Sequence, residues 1–176
     1  MENISENIYL VGLMGAGKTT IGRSLAKRLS LSFVDTDKEI EARTGVSIPT
    51  IFEIEGEDGF RKREAQIIAE MSARSGLVVA TGGGGVLRVE NRANMRASGF
   101  VVYLNVPPQT LWERTRNDRN RPLLQVADPL LKLNQLFAIR DPLYREVANL
   151  IVDGSRTNAQ GVLQFLLKEI SERWKL

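Results

Sequence analysis

Residues Gly12-Leu13-Met14-Gly15-Ala16-Gly17-Lys18-Thr19 match G-x-x-x-x-G-K-[ST] in full. Few short segments constrain a fold so tightly. The loop must follow a strand and open a helix, because its backbone N–H groups converge on phosphate oxygens at a helix N-terminus. The flanks agree: Ile8-Tyr9-Leu10-Val11 reads as a buried strand, and Ile21, Leu25 and Leu29 recur at helical spacing. In such a loop glycines remove side chains that would block the approach, the lysine reaches the terminal phosphates, and the Thr hydroxyl is offered to Mg²⁺. The motif assigns Gly12, Met14, Gly15, Ala16, Gly17, Lys18, Thr19 and Thr20 to nucleotide phosphate binding.

Apolar runs alternate with helical patterns along the rest of the chain. Strands are predicted at Asn7–Leu13, Ser32–Asp35, Leu77–Thr81, Phe100–Asn105 and Asn149–Asp153. Val162, Leu163, Phe165, Leu166, Leu167 and Ile170 suggest a closing helix. This alternation predicts an α/β three-layer sandwich with a five-stranded parallel sheet, the P-loop NTPase fold, over a single domain spanning 1–176. Ligands then bind at the carboxyl ends of the strands, so the residues just after each strand carry the chemistry.

Composition narrows that chemistry. The chain has no cysteine and no histidine, which excludes thiol catalysis and the commonest general base. Acid–base work falls to Asp, Glu, Lys, Tyr or water. A net charge of +3 is too small to argue for nucleic acid. No run is long enough for a membrane span. Residues 1–6 lack the basic and apolar regions of a signal peptide, so a cytoplasmic protein is expected.

A phosphate loop is usually partnered by an aspartate that ends another apolar strand and serves the metal. Asp35 and Asp153 both fit, whereas Leu77–Thr81 runs into glycine. Asp35 is the better candidate, because Asp37 follows it and could accept the proton of a substrate hydroxyl. Thr36-Asp37-Lys38-Glu39 also reads as a capping box, which would make Asp37 a helix-start residue instead. Gly82-Gly83-Gly84-Gly85, following a strand in a phosphate-loop protein, reads as a floor on which a substrate lies, with a flexible loop as the alternative.

Two arginines stand out. Arg140 shares the apolar stripe of Leu133, Leu136, Phe137, Leu143, Tyr144 and Val147, so it should point inward, where it needs an anion. Arg61 lies beside Phe60 on a helix predicted from about Asp58 to Arg74. It either pairs with Glu64 one turn on, or clamps a ligand carboxylate together with Arg140. Arg114, Arg116, Arg119 and Arg121 crowd a stretch ending in Pro122-Leu123-Leu124. That stretch suits a basic lid over ATP, with a solvated basic face as the alternative.

The ordered set Gly12–Thr19, Asp35-Thr36-Asp37, Phe60-Arg61-Lys62-Arg63-Glu64, Gly82-Gly83-Gly84, Arg121-Pro122-Leu123-Leu124 and Arg140-Asp141-Pro142-Leu143-Tyr144 resembles the shikimate kinase family over nearly the whole chain. The resemblance implies phosphorylation of the 3-hydroxyl of shikimate by ATP with Mg²⁺, on the way to chorismate and the aromatic amino acids. It implies a substrate-binding subregion at about 36–64 and a lid at about 115–128. By matching position, Asp37, Phe60, Arg61, Glu64, Gly82, Gly83, Gly84 and Arg140 belong to the shikimate site. Lys18 and Arg121 act on the phosphates beside Asp37, Thr19 and Asp35 serve the metal, and Arg114 and Arg156 contact the nucleotide. The segment Asp153-Gly-Ser-Arg-Thr-Asn-Ala159 lacks the proline that this family often carries there. Shikimate and ATP are the expected partners, with no nucleic acid or membrane, and a monomer is expected. Another small-molecule kinase of the same architecture, such as a gluconate kinase, and a non-catalytic nucleotide-binding protein are the alternatives. No N-K-x-D tetrapeptide supports a GTP switch, and the arginine cluster lacks the interleaved aromatics of an RNA binder.

Overall fold

A computed structural model of the protein describes residues 6–155 and 158–174. Five parallel strands, β1 (Asn7–Val11), β2 (Ser32–Asp35), β3 (Leu77–Ala80), β4 (Gly99–Asn105) and β5 (Leu150–Asp153), form one sheet in the order β2-β3-β1-β4-β5. The seven helices among the described residues are α1 (Lys18–Leu29), α2 (Thr36–Thr44), α3 (Ile48–Ser72), α4 (Val89–Ser98), α5 (Pro108–Thr115), α6 (Pro129–Val147) and α7 (Ala159–Trp174). Every residue of β1 and β3 is buried, as expected for central strands covered on both faces, whereas β2 and β5 are partly exposed edges. No helix among the described residues is long and apolar enough to cross a membrane.

All five predicted strands are present, β2 with its expected bounds and each of the others shifted at one end. β1 stops at Val11 because Gly12 turns to φ 149, taking the chain out of the ladder. β5 begins one residue late because Asn149 caps it: its side chain accepts from Val101 N–H at 2.8 Å while its own N–H donates to Val101 O. The predicted helix near 58–74 is the second half of α3, which is broken at Gly56 (φ 72, ψ −179).

A buried asparagine ties the sheet to α3. Asn7 Nδ2 donates to Met71 O (3.1 Å) and Arg74 O (2.9 Å), and its Oδ1 accepts from Leu77 N–H (3.0 Å). The end of α3 is thereby fixed against the starts of β1 and β3. The strand order does the rest. It sets the loop after β1, the end of β2 and the glycine run after β3 side by side at the carboxyl edge of the sheet.

Candidate active site

The phosphate loop is shaped by left-handed glycines: Gly15 has φ 85, and Gly17, at φ 98, caps α1. Lys18 is folded over this loop and donates from Nζ to Gly12 O and Leu13 O, the latter at 2.9 Å. Burial, aided by the positive charge of Arg121, lowers its pKa to about 7, against the pull of Asp37 and Asp35. A phosphate anion beside it would restore the charge.

Thr19 Oγ1 donates to Asp35 Oδ2 at 2.7 Å, joining α1 to the end of β2. Asp35 Oδ1 accepts from Lys38 N–H at 3.1 Å, so Asp35, not Thr36, is the N-cap of α2. The capping-box reading is therefore displaced by one residue. Thr36 is fully buried, and its hydroxyl accepts from Gly82 N–H at 3.0 Å. Asp37 is left free to turn into the interior.

There it meets Glu64. Asp37 Oδ1 and Glu64 Oε2 are buried and have no hydrogen-bond partner among the described residues. A Cβ placed on Gly82 would lie 2.7 Å from the first and 2.6 Å from the second. The two carboxylates thus converge on the space that the missing side chain leaves. Burial first, then the neighbouring charges of Glu64 and Asp35, push Asp37 up to about 7, despite Lys18 and Arg121. Glu64 is also raised, by burial above all, with Arg61 opposing.

The next glycines play the same part for cations. A Cβ on Gly84 would overlap the guanidinium of Arg61, and one on Gly83 would sit 3.3 Å from Arg140 Nη1. The run is not a slack loop. It clears space for four charged heads, and it is itself held in turns by Gly85 N–H to Gly82 O (2.9 Å) and Leu87 N–H to Gly84 O (3.1 Å).

Arg61 donates to Glu64 Oε1 at 2.9 Å and to Glu57 Oε1 at 3.1 Å, and it lies 5.2 Å from the centre of the Phe60 ring. The ion pair expected one turn apart is present, yet Arg61 still lines the cleft. Arg140 points inward from α6 as its stripe predicts and is 3% exposed. No carboxylate pairs with it among the described residues; burial lowers its pKa, with the neighbouring Tyr144 opposing.

Two clefts meet here. One is lined by Phe60, Arg61, Glu64, Gly84 and Arg140. The other is lined by Gly15, Gly17, Lys18, Thr19, Thr20 and Asp35. Met14, Asp37, Gly82, Gly83 and Arg121 border both. Arg121 precedes a 3₁₀ turn at Pro122–Leu124 and donates to Asp118 Oδ2 at 3.1 Å. Arg114 spans Gly15 O (3.0 Å) and Gly154 O (3.4 Å), bracing the phosphate loop against the segment after β5. Arg156 lies outside the described residues. Sequence reasoning missed Ile48, Phe52, Asn120 and Leu123 as cleft walls, and Thr36 and Tyr144 as anchors of the glycine run. Only Tyr144 gave a signal, as a polar member of the α6 stripe.

The donor set suits a hard divalent cation held mainly by phosphates and water. Among the described residues no cluster of three acidic, Cys or His side chains could cage a metal. The Thr19 hydroxyl and the Asp35 carboxylate offer oxygen ligands at the mouth of the phosphate loop.

Comparison with known proteins agrees with this arrangement. A family model described as shikimate kinase matches residues 14–171. A shikimate kinase of Dechloromonas aromatica (strain RCB) is 65% identical over 165 residues, covering 94% of this chain and 90% of the relative. The structure of shikimate kinase from Acinetobacter baumannii in complex with shikimate superposes with a TM-score of 0.94 at 49% identity, covering 97% of this chain and 96% of that one. Shikimate kinase from Aquifex aeolicus vf5 follows at 0.82 and 33% identity, with 95% and 97% covered. Matched by that family model over residues 14–171 and 65% identical to a relative across 94% of its length, this protein belongs to the shikimate kinase family.

Proposed function

We propose that this chain transfers the γ-phosphoryl group of ATP to the 3-hydroxyl of shikimate, giving shikimate 3-phosphate and ADP. The observation that carries this reading is the meeting of a phosphate-loop cleft and an arginine-lined cleft at Asp37 and Arg121. An acceptor lying across that junction presents its anionic end to Arg61 and Arg140 and its hydroxyl to Asp37. Arg140 is a buried guanidinium with no paired carboxylate among the described residues, so a ligand carboxylate supplies the missing counter-charge. Gluconate also carries a carboxylate, but the rigid ring of shikimate better matches a pocket walled by Phe52 and Phe60.

In this reading Lys18 and Arg121 neutralise the charge on the phosphates, and the backbone of residues 12–19 holds them. Mg²⁺ is the proposed metal; Thr19 and Asp35 would hold it, and it would supply positive charge that neutralises the phosphates. The acceptor oxygen forms its bond to phosphorus as the bond to the ADP oxygen breaks. The hydroxyl proton passes to Asp37, whose pKa of about 7 lets it take the proton late in a loose transition state. Positioning and charge neutralisation supply most of the acceleration. Residues 115–128 form the proposed lid, bringing Arg121 down on the phosphates, and 36–64 the acceptor-binding subregion; Arg114 and Arg156 are the proposed nucleotide-side contacts. The proposed working unit is a monomer in the cytoplasm. A coupled assay of ADP release with shikimate, gluconate and nucleoside monophosphates as acceptors tests the proposal.

A further inference from the structure

We infer that Tyr144 is a positioning residue that aims Arg140 at the acceptor, an inference that rests on the acceptor site proposed above. Tyr144 is fully buried. Its hydroxyl donates a hydrogen bond to Gly83 O, and the Arg140 guanidinium, one helical turn earlier on α6, reaches the same glycine, its Nη1 3.3 Å from where a Gly83 Cβ would lie. The hydroxyl and a buried cation on α6 therefore meet at the middle of the glycine run, 61 residues from Tyr144 in sequence.

The ring is fixed in turn. It packs on Tyr103 at 4.9 Å between centroids, and the Tyr103 hydroxyl donates to Asp141 Oδ1 at 2.7 Å. Asp141 adjoins Arg140, and α6 carries Pro142 within it, which removes one ladder bond just where Arg140 must be held. The tyrosine pair restores from the side what the helix loses along its axis.

The need for such a hold lies in Glu64. Its Oε2 has no partner among the described residues, and its charge acts on Arg140. A freely rotating Arg140 would fold onto that oxygen and be neutralised inside the protein, leaving no cation for a ligand carboxylate. The Tyr144 hydroxyl offers a neutral acceptor instead. It keeps the guanidinium in place without discharging it.

The test is steady-state kinetics of the full chain with shikimate and ATP for wild type, Tyr144→Phe, Tyr144→Leu, Arg140→Lys and the Arg140→Lys/Tyr144→Phe double variant, beside thermal melts. Tyr144→Phe keeps the ring, so it should raise KM for shikimate about tenfold with KM for ATP within twofold. Tyr144→Leu should melt lower still yet show the same KM, because only the hydroxyl positions Arg140. In the Arg140→Lys background the Phe substitution should change KM less than twofold. A KM that is unchanged, that follows the melting temperature across the two variants, or that rises equally in the lysine background overturns the inference. Wild type that turns over shikimate while the variants behave in any of these ways leaves the acceptor reading standing. Wild type that fails to phosphorylate shikimate overturns that reading, and this inference with it.

Discussion

Asp37 Oδ1 and Glu64 Oε2 face one another across the position where Gly82 has no side chain, and neither has a hydrogen-bond partner among the described residues. Holding two carboxylates this close and this deep costs stability, and the cost falls when one of them is protonated. The pair thus carries the signature of a site built for function at the expense of fold.

The pH dependence follows from the sign of the Asp37 shift. Its folded pKa, about 7, stands above the ordinary value of 3.8, so the folded state binds the extra proton between these limits. Stability is fully present below about pH 4 and falls as pH rises towards 7. Asp37→Asn should therefore melt about 3–8 °C higher at pH 8 while losing at least about 100-fold in kcat. In wild type, kcat/KM for shikimate should climb with pH to a plateau with an apparent pKa near 7 belonging to the pair. A melting temperature unchanged or lowered at pH 8 would contradict this account.

Arg61 and Glu64 form a buried ion pair at 2.9 Å, with side chains 9% and 1% exposed. Removing the cation alone leaves a buried carboxylate, which typically costs about 3–5 kcal/mol. Arg61→Ala should destabilise the protein, raise KM for shikimate by at least about tenfold and leave ATP binding within twofold. Unchanged shikimate kinetics would remove Arg61 from the acceptor clamp.

Gly84 makes the same claim sterically. A Cβ there would overlap the Arg61 guanidinium, which must swing away. Gly84→Ala should raise KM for shikimate severalfold with little change in KM for ATP. Gly76→Ala, where an added Cβ would meet nothing within 4 Å but φ is +73, should cost stability of about 1 kcal/mol and leave both constants unchanged. Equal kinetic effects of the two substitutions would argue against the slot.

Asp35 holds two posts that one substitution separates. Asparagine is as good an N-cap as aspartate, so Asp35→Asn should keep the bond to Lys38 N–H and melt within about 2 °C of wild type. It should still raise the Mg²⁺ concentration for half-maximal rate about tenfold, because the charge is gone. Asp35→Ala should lose the cap as well, at about 1 kcal/mol. A metal requirement unaltered in Asp35→Asn would assign this residue to capping alone.

Local patterns made much of this legible. The phosphate loop declares itself by residue type at fixed spacing, the strands by apolar runs, and the inward turn of Arg140 by its register on the α6 stripe. What escaped are relations across the sheet. Nothing near Gly82 in sequence signals that Thr36 holds its N–H, and nothing near Gly83 signals Tyr144. The cap of α2 was misplaced because Asp35 and Thr36 are both good N-caps, and only burial of the Thr36 hydroxyl decides between them. The break in α3 rests on one backbone angle at Gly56, a residue that helices also tolerate without breaking.

The most direct test of the central claim is to identify the product. The full chain incubated with ATP, Mg²⁺ and shikimate should release ADP in step with the appearance of one new phosphomonoester, seen by ³¹P NMR and assigned to the 3-oxygen of shikimate. Gluconate and nucleoside monophosphates should yield none at comparable rates. ADP release without a shikimate phosphomonoester, or faster transfer to either of the other acceptors, would contradict the account.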